Sequence, residues 1–105
     1  MIDADRPDAP DRPGLRPVEV VLVTAPRCHF CADAGKLIDD LSGRYPLAVR
    51  EVELESDEGI AIVTRFRVPF PPVLLLNDAY FGHGRISRRK LTKALDAIVG
   101  AGVLR

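Results

Sequence analysis

The sequence predicts an α/β fold, a four-stranded mixed sheet flanked by helices in the order β-α-β-α-β-β-α. Three observations predict it. Val18 to Val23 and Val73 to Leu76 are almost wholly apolar runs, as strands covered on both faces require. Between them, apolar residues recur at helical spacing, so the early strands are joined through helices, which favours parallel pairing. Asn77-Asp78 then links Val73–Leu76 to a short run beginning Ala79-Tyr80-Phe81, and so short a link requires an antiparallel hairpin.

Each element has its own signal. Val18 to Val23 is β-branched, and Thr24-Ala25-Pro26-Arg27 interrupts it. From Cys28 to Gly43 the pattern is helical. Ala34, Leu37, Ile38 and Leu41 fall at i, i+3, i+4 and i+7, opposite Lys36, Asp39 and Asp40. Gly43 is a helix stop. Pro46 opens a second strand over 47–54, whose imperfect alternation leaves its facing open. Asp57 is expected to cap a short helix ending near Phe66, with Ile60, Ile62, Val63 and Phe66 as its apolar residues. Val68 to Pro72 is a proline-dense loop. Gly82-His83-Gly84 is expected to end the fourth strand, which makes His83 a turn residue. Ser87 caps the last helix, whose buried face is marked by Leu91, Leu95, Ile98 and Val99.

A chain of 105 residues is the length of one small domain. Residues 1–17 carry Pro7, Pro10, Pro13 and Pro17 among charged residues. They hold too little apolar surface to offset ordering, so a disordered or extended tail is expected there and a folded domain over 18–105. Fifteen basic residues balance fifteen acidic ones, which gives no reason to expect nucleic acid or an acidic membrane as partner. Apolar runs such as Val73–Leu76 are too short to span a bilayer. Met1-Ile2-Asp3-Ala4-Asp5 lacks the basic start and apolar stretch of a secretory signal. A cytoplasmic protein is therefore expected, and a monomer.

Cys28-His29-Phe30-Cys31 carries the chemistry. Two cysteines three apart in a first helical turn lie on one side, within disulfide reach. Cys28 falls at the helix N-terminus, where free N–H groups and the dipole favour a thiolate. Arg27, and His29 when protonated, add positive charge. Only the thiolate attacks a disulfide efficiently, so Cys28 reads as nucleophile and Cys31, one turn deeper, as the thiol that resolves the mixed disulfide. A lone C-x-x-C also fits half of a zinc site, or an inert pair, but no second cysteine pair exists to complete four ligands. Phe30 reads equally as part of the thiol surface or as packing. Arg85, Arg88, Arg89, Lys90 and Lys93 form a basic cluster that suits an acidic partner or a substrate carboxylate, although a solvated face is the commoner use of such a run. Glu51, Glu53, Glu55, Asp57 and Glu58 balance it elsewhere.

The motif follows a buried strand and opens a helix, the placement of a thioredoxin-like redox site. Thr24-Ala25-Pro26-Arg27-Cys28-His29-Phe30-Cys31 resembles the active-site segment of the glutaredoxin family, with Phe30 matching that family's aromatic residue before the second cysteine. Phe70-Pro71-Pro72-Val73-Leu74-Leu75-Leu76 resembles its cis-proline segment. The resemblance implies a thioredoxin-like, glutaredoxin-type fold over residues 18–100. It implies Pro72 as the cis-proline facing the cysteines, because Val73 then starts the strand directly. Were Pro71 the cis residue instead, Phe70 would pair with the bound peptide. In the family the residue before the cis-proline pairs its backbone with the thiol peptide, and Pro71 has no N–H to offer. Arg85-Ile86-Ser87 stands where the family often holds glutathione through an acidic or polar pair, so the glutathione pocket does not carry over cleanly.

The implied activity is thiol–disulfide exchange by a dithiol mechanism on protein disulfides or mixed disulfides with a small thiol. Cys28 and Cys31 are the expected catalytic pair. Arg27, His29, Phe30, Pro71 and Pro72 are the expected substrate-binding residues. No tightly bound cofactor or metal is expected. Glutathione or another low-molecular-weight thiol would serve as co-substrate, and a thiol or flavoprotein as reductant. The alternatives are an iron–sulfur or other metal-binding module and a non-catalytic interaction domain.

Overall fold

The computed structural model describes residues 17–103. The tail expected over 1–17 lies, Pro17 apart, outside these residues, as do the last two positions of the expected domain. Seven elements follow in the anticipated order: β1 (Val18–Thr24), α1 (His29–Ser42), β2 (Leu47–Glu53), α2 (Asp57–Phe66), β3 (Val73–Leu76), β4 (Ala79–His83) and α3 (Arg88–Val103). The sheet order is β2-β1-β3-β4. β1 runs parallel to β2 and antiparallel to β3, and β3 runs antiparallel to β4.

The two interior strands are the two apolar runs, and their alternating side chains divide the core. Val18, Val20 and Leu22 of β1 join Leu74 and Leu76 of β3 against α1 and α3, where Ala34, Leu37, Ile38, Leu41, Leu91 and Leu95 close the layer. Val23, Val73 and Leu75 face the other way and pack with Val52 and Ile62 under α2. The period of two along each strand thus fills two cores at once. β2 is an edge strand with only Val52 buried, and Val49 is exposed. That position explains its imperfect alternation.

Local chemistry sets the element ends. Cys28 is the N-cap of α1. Ser56, not Asp57, is the N-cap of α2. The Gly59 N–H donates to its hydroxyl oxygen at 3.0 Å, and the hydroxyl donates to the Glu53 carbonyl. Asp57 is instead the first helical residue, where with Glu58 it suits the helix dipole. A Cβ at Gly59 would collide with the carbonyl oxygens of Glu53 and Leu54, so the helix can sit this close to the end of β2 only with glycine there. Arg50 of β2 donates to Glu58 at 2.6 Å and holds that carboxyl below its ordinary range. Both side chains are about half exposed, so the pair adds little stability.

Asn77 and Asp78 both have positive φ, at 50° and 68°, as a two-residue hairpin turn requires. Beyond this turn β4 is longer than its apolar start suggests. It runs through Gly82 to His83, which pairs with Val73, so His83 is a strand residue and not part of a turn. Its backbone is recruited by the partner strand, and no side-chain pattern signals this. At the start of α3 the Lys90 N–H donates to the Ser87 hydroxyl oxygen, confirming the anticipated cap.

Replacing Ser56 by alanine should cost about 1 kcal/mol, and Asp57→Ala clearly less, in urea unfolding of the full chain. Equal losses would contradict the cap assignment. Leu95→Ala, which empties a site that is 1% exposed, should cost roughly 2–5 kcal/mol in the same measurement.

Candidate active site

β1 ends at Thr24, and Ala25-Pro26-Arg27 carries the chain to the start of α1. Arg27 takes a positive φ of 56°, which turns the backbone so that Cys28 becomes the cap. The Cys31 N–H donates to Cys28 Sγ at 3.1 Å. A thiolate at that sulfur would receive this N–H and the positive end of the helix dipole.

Cys28 and Cys31 are joined by a disulfide with their Cα atoms 5.1 Å apart, so the structure describes the oxidised form. The two sulfurs are not equivalent. Cys31 is buried at 6% exposure, whereas Cys28 is half-buried and reaches the surface. A substrate can therefore approach Cys28, while Cys31 is reached from within.

The expected site residues fall into two groups. Arg27, Cys28 and His29 line one shallow cavity of about 460 Å³ with Ala32. Phe30, Pro71 and Pro72 are not among its lining residues. Phe30 points outward at 42% exposure. The Pro71–Pro72 bond is cis, which places the cis-proline at Pro72. Pro72 is fully buried and Pro71 partly so. Register brings this loop to the cysteines' end of the sheet. Val23 pairs with Val73, so Thr24, leading towards Cys28, and Pro72 continue past the same rung.

Residues outside the expected site set complete this end of the sheet. The Gly84 N–H donates to the Pro72 carbonyl at 2.9 Å. Phe70 is half exposed and meets the His83 ring edge-on, with centroids 5.1 Å apart. His83 Nδ1 shares a 2.6 Å hydrogen bond with the Tyr80 hydroxyl. The Phe70-Pro71-Pro72 segment pointed to this place, but the contact with His83 comes from β-pairing and left no local signal. Within the basic cluster, Arg88 is paired with Asp40 at 2.7 Å. Among the described residues no polar or charged side chain is buried. Nor do three or more His, Cys, Asp or Glu side chains gather as a metal site there, and no helix is long and apolar enough to cross a membrane.

This architecture is shared with solved thioredoxins. A thioredoxin variant from Halobacterium salinarum NRC-1 superposes with a TM-score of 0.61 at 19% identity, covering 78% of this chain and 74% of the other. Thioredoxin O2 from Arabidopsis thaliana, in its oxidised state, gives 0.61 at 18% identity over 78% and 75%. A thioredoxin-like protein from Clostridium perfringens gives 0.64 at 14% identity over 80% and 71%. The chain thus has the thioredoxin fold, and it carries a C-x-x-C pair at disulfide distance. In sequence it is similar to a probable thioredoxin of Archaeoglobus fulgidus, 27% identical over 63 residues that make up 60% of this chain and 69% of that protein. No family model matches the chain. Fold, cysteine spacing and this relative together support a thiol–disulfide oxidoreductase.

In the reduced protein, iodoacetamide near pH 7 should alkylate Cys28 faster than Cys31 by on the order of tenfold or more, read by peptide mass mapping at short times. Equal rates at the two cysteines would contradict the asymmetry.

Proposed function

We propose that the protein reduces disulfides of proteins, or mixed disulfides with small thiols, by a dithiol mechanism at Cys28 and Cys31. The observation that carries this reading is the placement of an accessible Cys28 at a helix N-cap, bonded to a buried Cys31 within a thioredoxin fold.

The Cys28 thiolate attacks one sulfur of the substrate disulfide. The substrate S–S bond breaks, one substrate sulfur leaves as thiolate, and Cys28 is held in a mixed disulfide. Cys31, deprotonated, then attacks Cys28 Sγ. The mixed disulfide breaks, the second substrate sulfur leaves, and the Cys28–Cys31 bond forms. Two electrons pass from the protein to the substrate, whose two sulfurs take up two protons. The proton that Cys31 gives up before this attack passes to water.

Arg27 and His29 favour the anionic sulfur by their charge, with His29 contributing when protonated. Pro71, partly exposed beside the buried Pro72, offers the docking edge at the cysteines' end of the sheet, and Phe30 adds exposed apolar surface next to Cys31. Regeneration requires two electrons from a small thiol such as glutathione, used in the glutaredoxin manner, or from a flavoprotein reductase. No tightly bound cofactor takes part in these steps, and the setting is the cytoplasm.

Equilibration against defined thiol buffers should give a reversible two-electron couple at roughly −200 to −270 mV. Cys28→Ser should abolish both the couple and disulfide reduction. Cys31→Ser should accumulate a mixed disulfide with substrate at Cys28, visible by mass. Absence of reversible disulfide formation at every poise would overturn the proposed activity.

A further inference from the structure

Among the described residues the sheet has two edges, β2 and β4. They differ in what they offer. In β4, Phe81 has no partner between Gly82, opposite Leu74, and Tyr80, opposite Leu75. Such a bulge blunts an edge against further pairing. β2 keeps its register with β1 along its whole length, with neither bulge nor proline. Its inner hydrogen bonds fix the direction of its backbone. The Val18 N–H donates to the Pro46 carbonyl, and the Leu54 N–H donates to the Thr24 carbonyl. The backbone groups of the even-numbered residues therefore point to β1. Alternation turns the N–H and C=O groups of Leu47, Val49, Glu51 and Glu53 outward, and no other described strand takes them up.

Val49, at the middle of this row, is apolar and 47% exposed. It borders an open groove of about 280 Å³ over Leu22 and Ile38. Gly35 of α1 lines the same groove, and a Cβ there would meet nothing within 4 Å. The helix thus leaves the space above this edge clear.

The edge is complementary to itself. When two β2 strands pair antiparallel, each face of the sheet continues across the join, so opposed residues share a face and the register centres on a residue. Centred on Arg50, the pairing sets Arg50 against Arg50. Centred on Glu51, it sets Glu51 against Glu51. Like charges directly opposite destabilise a strand pair. Centred on Val49, it sets Val49 against Val49, Leu47 against Glu51 and Ala48 against Arg50, with no like charges opposed. The outward groups of Leu47, Val49 and Glu51 then each give and take a backbone hydrogen bond. Arg50 is already bonded to Glu58 within its own chain at 2.6 Å. A register centred on Ala48 also avoids like charges, but it joins a shorter stretch of each strand.

We propose that β2 pairs antiparallel with β2 of a second copy of this chain, centred on Val49, to form one continuous sheet across a two-fold axis. This replaces the monomer expected from the sequence. β2 ends at Glu53, opposite Thr24 and beside the cysteine loop. Antiparallel pairing therefore sends the two cysteine ends in opposite directions and leaves both open, so the association does not depend on the thiol chemistry above.

The test uses the full chain with the Cys28–Cys31 disulfide intact. Sedimentation equilibrium over a concentration series should approach twice the chain mass of 11.5 kDa. Val49→Glu and Val49→Lys each oppose like charges at the axis, and each should raise the dimer dissociation constant by more than about tenfold. Mixed in equal amounts, V49E and V49K should associate again, because each then meets its opposite charge. That recovery also shows that both variants fold. In a Cys28→Ser, Cys31→Ser background, oxidised glutathione should cross-link Val49→Cys into a covalent dimer, since the Cα atoms of an opposed hydrogen-bonded pair stand about 5.5 Å apart. Glu51→Cys should stay uncross-linked.

A monomer at every concentration would overturn the proposal and leave the edge to residues 1–16 or to a different partner. So would a dimer that V49E and V49K do not weaken, or cross-linking through Glu51→Cys in place of Val49→Cys.

Discussion

The register between β1 and β3 is the constraint on which the cysteine end of the molecule depends. Val23 opposes Val73, so the loop leading to Cys28 and the segment ending in Pro72 leave the sheet side by side. A slip of one residue would do two kinds of damage. It would turn every β3 side chain to the wrong face, and it would displace Pro72 from the cysteine loop. The two cores guard against this, because Val73 and Leu75 are needed on one face and Leu74 and Leu76 on the other. Packing energy that stabilises the fold also aligns the site.

The chemistry at Cys28 has a similarly local cause. The same backbone turn that starts α1 directs the Cys31 N–H at the Cys28 sulfur, and the cysteine takes the place usually held by a serine or aspartate cap. Capping and thiolate stabilisation are one interaction here. Burial of Cys31 follows from the helix period, since Cys31, Ala34, Ile38 and Leu41 share the face that packs on the sheet. One sulfur is therefore offered to solvent and the other withheld.

Some elements were legible because a single local rule governs them. Val73–Leu76 has the bounds expected from its apolar run. The Asn77-Asp78 turn and the Ser87 cap follow from side-chain chemistry. The cap of α2 lies one residue before the expected Asp57, because Ser56 and Asp57 both satisfy the rule. The choice fell to Ser56, whose hydroxyl also reaches the Glu53 carbonyl. The end of β4 lies beyond the expected one, because Gly82 and His83 look like turn residues. Their backbone groups nevertheless pair with β3, a demand set by the partner strand.

By itself, the sequence determined the α/β class, the order of the seven elements, the two interior strands, and the presence of a cysteine pair at the head of a helix. These rest on periodicity, turn chemistry and spacing, which act over a few residues. Only the tertiary structure decided that β3 lies between β1 and β4 and runs antiparallel to β1. Only it decided that Pro72 shares the cysteines' end of the sheet, and that Gly84 and His83 hold Phe70. The physical reason is that these contacts join residues distant in the chain, through backbone pairing and shape that no local pattern encodes. The missing Cβ of Gly84 becomes meaningful only when the Phe70 ring occupies the space beside it.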